Sequence, residues 1–207
     1  MSSFKSDLSQ EQILSTYLDK LYAQKNLTFE RISDLDRQHQ GIDVVMTVNS
    51  QEYVIDEKAQ LHYINSDLPT FTFELSYLKK SVLKEGWLFD PKKQTDYYFL
   101  ITSIFLKNNK TALESDNDIE TLKITSVNRK KLIQHLSVLG LNKQRLFDYD
   151  SDFRKKKSFS KNVISELKPS LEGLIYFTQH LPEKPMNLQL RLNYLIEKGV
   201  AKKFHYV

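Results

Sequence analysis

The stretch GIDVVMTVNSQEYVIDEKAQ, Gly41–Gln60, constrains the fold of this chain most. Two apolar runs rich in valine, isoleucine and tyrosine flank a short polar break, the pattern of a β-hairpin. Asn49-Ser50 suits a two-residue turn, because Asn tolerates the left-handed geometry such turns need. Val48 then faces Gln51, Met46 faces Tyr53, and Asp43 faces Asp56. Strand side chains alternate between faces. Val54, Asp56, Lys58 and Gln60 therefore share one face, and Tyr53, Ile55, Glu57 and Ala59 the other. Like charges directly opposite one another destabilise a sheet. The arrangement becomes favourable when a hard divalent cation sits between the two carboxylates. Magnesium takes oxygen ligands and commonly needs only one or two carboxylates.

The rest of the first half reads as a mixed sheet flanked by helices. Ile13, Leu14, Tyr17, Leu18, Leu21 and Tyr22 recur at helical spacing, with Ser9 and Gln12 as a candidate capping box. Leu27–Ser33 is a short strand, and DLDRQHQ a polar link into the hairpin. LSYLKKSVLKEG has a helical pattern that stops at Gly86, with Trp87 and Phe89 as an apolar anchor behind it. TDYYFLITSIFL is a nearly continuous apolar strand, as expected inside a sheet covered on both faces. ETLKITSV is a weaker strand, expected at an edge.

Asp43, followed on the next strand by the run Asp56-Glu57-Lys58, resembles the PD-(D/E)XK motif of restriction-endonuclease-like nucleases. Ile42 stands where the motif's name has proline. The order helix, three-stranded meander, helix, strand also resembles the core of that fold. The resemblance covers roughly the first half of the chain. It implies an α/β restriction-endonuclease-like core that hydrolyses DNA phosphodiester bonds with Mg2+ or Mn2+. Asp43 and Asp56 would hold the metal, and Lys58 would position the attacking water. Gln60 would assist, as a glutamine after the lysine does in many members. Some members add an acid from the first helix, which nominates Glu11 or Asp19. Glu74 is a further candidate acid.

Charge is unevenly distributed. Residues 1–125 hold 14 Lys/Arg against 19 Asp/Glu, and residues 126–207 hold 16 against 7, within a net +4. Such a split points to a polyanionic partner for the basic half. Arg129, Lys130 and Lys131, and Arg154, Lys155, Lys156 and Lys157, are the candidate phosphate contacts; Lys143, Arg145 and Lys161 lie nearby. After Asn128, NRKKLIQHLSVLG and MNLQLRLNYLIEKG read as helices, and DYDSDFRKKKSFSK as a loop. The expected organisation is a nuclease-like core over 1–125 and a basic, mostly helical extension over 126–207.

Several classes fall away. With no cysteine among 207 residues, there is no disulfide framework and no thiolate metal site. No histidine spacing fits zinc, and no phosphate-binding glycine loop or Gly-x-Ser-x-Gly elbow occurs. His39 and His62 bracket the hairpin and read as polar loop residues. No apolar run is long enough for a membrane, and the N-terminus lacks the apolar core of a secretory signal. The expectation is a cytoplasmic protein that binds DNA, as a homodimer or within a larger nucleoprotein complex. Two other classes stay open: a non-catalytic nucleic-acid-binding module that keeps the fold, and an interaction protein whose charged hairpin is incidental.

Overall fold

In a computed structural model, the chain is a mixed α/β protein with, among the described residues, two sheets and five α-helices. Backbone is described from Ser3 to Val207 and side chains from Ser9 onward. In chain order the elements are α1 (Ser3–Gln24), β1 (Thr28–Arg31), α2 (Leu35–His39), β2 (Val44–Val48), β3 (Gln51–Ala59), β4 (Thr70–Lys79), β5 (Val82–Glu85), β6 (Tyr97–Leu106) and β7 (Ile119–Asn128). There follow α3 (Arg129–Val138), α4 (Lys143–Lys156), β8 (Ser160–Asn162), β9 (Gly173–Phe177), β10 (Met186–Arg191), α5 (Leu192–Glu197) and β11 (Ala201–Tyr206). No helix among the described residues is long and apolar enough to cross a membrane.

The chain forms two compact units. The first comprises the residues up to Leu68, Gln94–Val127 and Lys202–Val207; the second comprises Pro69–Lys93 and Asn128–Ala201. They are not the two halves expected from the sequence, although one passage between them, at Val127/Asn128, falls close to residue 125.

The first unit holds a six-stranded sheet in the order β1-β2-β3-β6-β7-β11. The opening hairpin has the expected register: Val44 pairs with Ile55, Met46 with Tyr53 and Val48 with Gln51. Its turn residues Asn49 and Ser50 both have positive φ, 51° and 62°, as a twisted two-residue hairpin requires. β1 adds antiparallel to β2, and β3 pairs parallel with β6 on its other side. Leu14, Leu18, Leu21 and Tyr22 of α1 pack into one core with Val44, Met46, Ile55, Phe99 and Ile101. Burying each such side chain is worth about 1.5–3 kcal/mol, so this stripe fastens α1 to the sheet. Ser9 lies inside α1 and does not cap it. The link DLDRQHQ folds into α2, with Asp34 accepting from the Arg37 amide at its N-terminus. β7 is internal, because β11 covers its outer side.

The second unit holds a five-stranded sheet in the order β5-β4-β10-β9-β8, with every pair antiparallel. Here the sequence reading needs correction. The expected helix at LSYLKKSVLKEG is the β4–β5 hairpin, turning at Lys80-Ser81. Gly86 ends no helix: a Cβ there would lie 2.4 Å from the Glu74 carbonyl oxygen, so it serves close backbone approach. MNLQLRLNYLIEKG divides into β10, with Met186, Leu188 and Leu190 buried at period two, and the short α5. The acidic-then-basic segment expected as a loop is mostly α4, whose Asp150–Arg154 and Asp152–Lys156 pairs have helical i, i+4 spacing. The second half therefore sets the strands β8, β9, β10 and β11 beside the helices α3, α4 and α5.

Candidate active site

Asp43 stands at the end of the hairpin where the ladder stops. Gly41, at φ 74°, turns the chain out of α2, and the Thr95 hydroxyl holds its carbonyl at 3.0 Å. The Asp43 amide donates to the Ile55 carbonyl at 2.9 Å, and its carbonyl accepts from the Ile32 amide at 2.9 Å. Beyond this point β2 no longer supplies backbone to β3. The Asp43 carboxylate does so instead, with Oδ2 accepting the Glu57 N–H at 2.7 Å. The other side of β3 stays satisfied, because Ile55–Ala59 pair in parallel with Tyr97–Ile101.

Asp56 is 1% exposed and ion-pairs through Oδ1 with the Lys58 ammonium. Its other oxygen, Oδ2, is buried with no hydrogen-bond donor. The Asp43 carboxyl lies against that of Asp56. Burial, and then the Asp56 charge, push its pKa up to about 7, although Lys58 and the Glu57 amide pull the other way. Burial works against the Lys58 charge, yet the carboxylates of Asp56 and Asp43 outweigh it and hold its pKa above the ordinary lysine value. The Lys58 side chain is 28% exposed, whereas the Asp56 carboxylate it pairs with is 1% exposed. Two touching carboxylates, one bearing an undonated buried oxygen, form an oxygen donor set for a hard divalent cation. Their residues fit magnesium or manganese. Among the described residues no group of three or more His, Cys, Asp or Glu side chains is assembled for a metal.

The first-helix acids separate. Asp19 accepts from Arg31 Nε at 2.6 Å, and Arg31 also reaches Glu57 at 2.8 Å. Glu57 accepts from the Tyr22 hydroxyl at 2.6 Å as well. That Tyr22–Glu57–Arg31–Asp19 network lies on the α1 side of the sheet, where alternation places the variable residue of the triplet. Glu11 is different: its charge favours the ammonium of Lys58. That is the weakest of the influences on Lys58, behind burial, Asp56 and Asp43.

Gln60 follows β3 directly, its amide donating to the Ile101 carbonyl at 3.0 Å. Glu74 is on β4, in the second unit. His39 ends α2 and His62 lies in a single 3-10 turn, both exposed. One residue escaped the sequence reading. Tyr98 and Leu100 pair with Asp56 and Lys58, so alternation puts Thr102 on the same face, buried and with its hydroxyl undonated. In sequence it is one polar residue in an apolar run, and only the parallel register with β3 gives it meaning.

The basic residues divide into two groups. Arg129 donates to the carbonyls of Lys93, Leu88 and Asp90, the last at 3.0 Å. Arg154 is 16% exposed at the side chain and ion-pairs with Asp150 at 2.6 Å. It also donates to the Ser76 hydroxyl at 2.7 Å and the Lys184 carbonyl at 3.1 Å. Both guanidinium groups thus brace the second unit from within, contrary to their expected phosphate role. Lys156 pairs with Asp152 at 2.7 Å. Lys130, Lys131, Lys155 and Lys157 are exposed.

No family model, curated relative or solved structure matches this chain.

Proposed function

We propose that the chain is a metal-dependent nuclease hydrolysing DNA phosphodiester bonds, with a PD-(D/E)XK-type site on a restriction-endonuclease-like core. The observation that carries this reading is the contact between the Asp43 and Asp56 carboxyls, with Asp56 Oδ2 left without a donor beside the Lys58 ammonium. The order α1, antiparallel meander β1-β2-β3, then a strand parallel to β3, also supports it. The segment between β3 and β6 departs from that core, because it holds the β4–β5 hairpin in place of a helix.

Asp43 and Asp56 would hold the ion. When bound, Mg2+ would polarise the scissile phosphate and make a water a stronger nucleophile at neutral pH. Lys58, kept protonated by its two carboxylates, donates hydrogen bonds to the attacking water or the phosphate oxygens. It offsets the negative charge that grows on phosphorus. A lysine with a raised pKa is a poor proton acceptor, so its role is orientation and charge. Gln60, one residue past β3, and the Thr102 hydroxyl on β6 would be the next groups along to steady the water. The water oxygen bonds to phosphorus and loses a proton to solvent, the opposite P–O bond breaks, and the departing oxygen takes up a proton, which leaves a phosphomonoester and a free hydroxyl.

The test is incubation of the purified protein with single-stranded, linear duplex, nicked and circular DNA, and with RNA, in Mg2+, Mn2+ or chelator. Metal-dependent cleavage that Asp56→Asn abolishes is the expected result. DNA binding without cleavage in any metal would leave a nucleic-acid-binding module in place of a nuclease.

A further inference from the structure

The geometry points to a second nucleic-acid contact, built within the second unit and resting on the nuclease reading for the identity of its ligand: a cleft between the β4–β5 turn and the 182–184 loop that holds backbone phosphates. The cleft encloses about 570 Å3 and is lined by Tyr77, Lys79, Lys80, Ser81, Glu183 and Lys184, among others. Its two walls are fastened together. The Leu78 amide donates to the Glu183 carbonyl at 2.6 Å. The half-buried Arg154 guanidinium donates both to Ser76 on β4 and to the Lys184 carbonyl in the loop.

Charge selects the ligand. Residues 77–84 and 181–185 carry four lysines, Lys79, Lys80, Lys84 and Lys184, against one acid, Glu183. The whole second unit holds 19 Lys/Arg against 10 Asp/Glu, whereas the unit with Asp43 and Asp56 holds 11 against 16. Beside the turn, Val82 and Leu83 are exposed by 54% and 51% on the edge strand β5. Apolar side chains among lysines suit a nucleic-acid groove, where they touch sugars and bases while the cations hold phosphates.

Backbone conformation supplies an independent observation. Among the described residues, twelve non-glycine positions have positive φ; Asn and Ser fill nine of them, and Lys80, Lys157 and Lys184 the other three. Two of those three lysines flank this cleft. The hairpin at Asn49-Ser50 places Asn at the first turn position; the hairpin at Lys80-Ser81 places lysine there. A long side chain in left-handed backbone is conformationally costly where Asn or Gly would be easier. Such a cost persists where the side chain has a function.

The experiment compares the wild-type protein with the triple variant Lys79→Gln, Lys80→Asn, Lys184→Asn. Asn removes the charge while suiting the left-handed backbone, and matching thermal midpoints confirm the fold; Lys80→Asn alone is the milder companion. Binding to a fluorescent duplex of about 30 base pairs is measured in chelator over a range of salt. Each phosphate contact contributes about 0.9 to the slope of log affinity against log salt. The triple variant is expected to bind at least about tenfold more weakly with a slope lower by about 2–3, and the single variant with a slope lower by about 1. Unchanged affinity and slope in the triple variant would overturn the inference. So would competition by polyglutamate as strong as by DNA, because the cleft would then serve an acidic protein surface. Cleavage with unchanged triple-variant binding would retain the nuclease and remove the cleft. Cleft-dependent binding without cleavage would do the reverse.

Discussion

Asp43 carries the most pH information in this protein. Its carboxyl is pushed up to about 7, first by burial and then by Asp56. Below about pH 4 both folded and unfolded Asp43 hold a proton. Between about 4 and 7 the unfolded residue ionises and the folded one does not. The folded state then binds more protons, and stability falls as pH rises. Above about 7 the difference is constant. Asp43→Asn removes this penalty: its amide oxygen can still accept the Glu57 N–H, and its NH2 can donate to Asp56. In chelator, the variant is expected to gain about 1–3 kcal/mol over wild type between pH 4.5 and 7.5, measured by thermal or urea unfolding. Parallel stability curves would show that Asp43 ionises normally. Added Mg2+ should stabilise wild type, more strongly at higher pH as protons leave the pair, and should leave Asp43→Asn nearly unchanged. Asp56→Asn is expected to lower cleavage by at least about 100-fold, from the loss of charge stabilisation at the phosphate, and to abolish Mg2+ binding in calorimetry. Retained binding would place the ion elsewhere.

At the scale of elements, the two hairpins explain what was legible. Gly41–Gln60 could be read because everything that sets its register is local: two apolar runs, a period of two, and Asn at the turn. That register alone sets Asp43 opposite Asp56, and alternation separates Glu57 from Lys58. The pairing of Asp19 was not legible, since it depends on Arg31 bridging Asp19 to Glu57. The β4–β5 hairpin was misread for two reasons. Its turn holds lysine where Asn or Gly would announce it, and β4 owes its strand character to β10, far along the chain. Helical spacing of Leu75, Leu78 and Val82 was then the strongest local pattern, and pairing with a distant strand overrode it. Gly86 tests the corrected element. An added Cβ would meet the Glu74 carbonyl oxygen at 2.4 Å and its carbon at 2.5 Å, both backbone atoms that cannot swing aside. Gly86→Ala is expected to cost about 1–3 kcal/mol by overpacking. Had Gly86 closed a helix in a relaxed conformation, alanine would be neutral or stabilising in urea melts.

The whole chain is threaded so that neither unit is one continuous piece. β4 and β5 are encoded before β6 and β7, yet their sheet is completed by β8, β9 and β10 from the second half. The sheet of the first unit is closed by β11, made of the last residues of the chain. Residues 1–125, the domain suggested by the change of composition, would therefore carry two broken sheets. β7 would be cut short and lose its β11 partner. The buried Phe71, Phe73 and Leu75 of β4 would have no β10 beside them. Each exposed aromatic or leucine forfeits about 1.5–3 kcal/mol, and a domain's whole stability is only about 5–15 kcal/mol. A fragment of residues 1–125 is thus expected to lack cooperative unfolding, to bind hydrophobic dye, and to neither bind Mg2+ nor cleave DNA, although it contains Asp43, Asp56, Lys58 and Gln60. A fragment joining Asp67 to Gln94 by a short glycine-serine link, and retaining the rest of the chain, removes the β4–β5 hairpin and exposes the β10 edge. It is expected to lose order in the second unit while the amide signals of Val44, Ile55 and Phe99 keep their dispersion. A well-folded 1–125 fragment with a sharp melt would mean that the strands across β4 and β7 contribute little, and that the composition boundary is the true one.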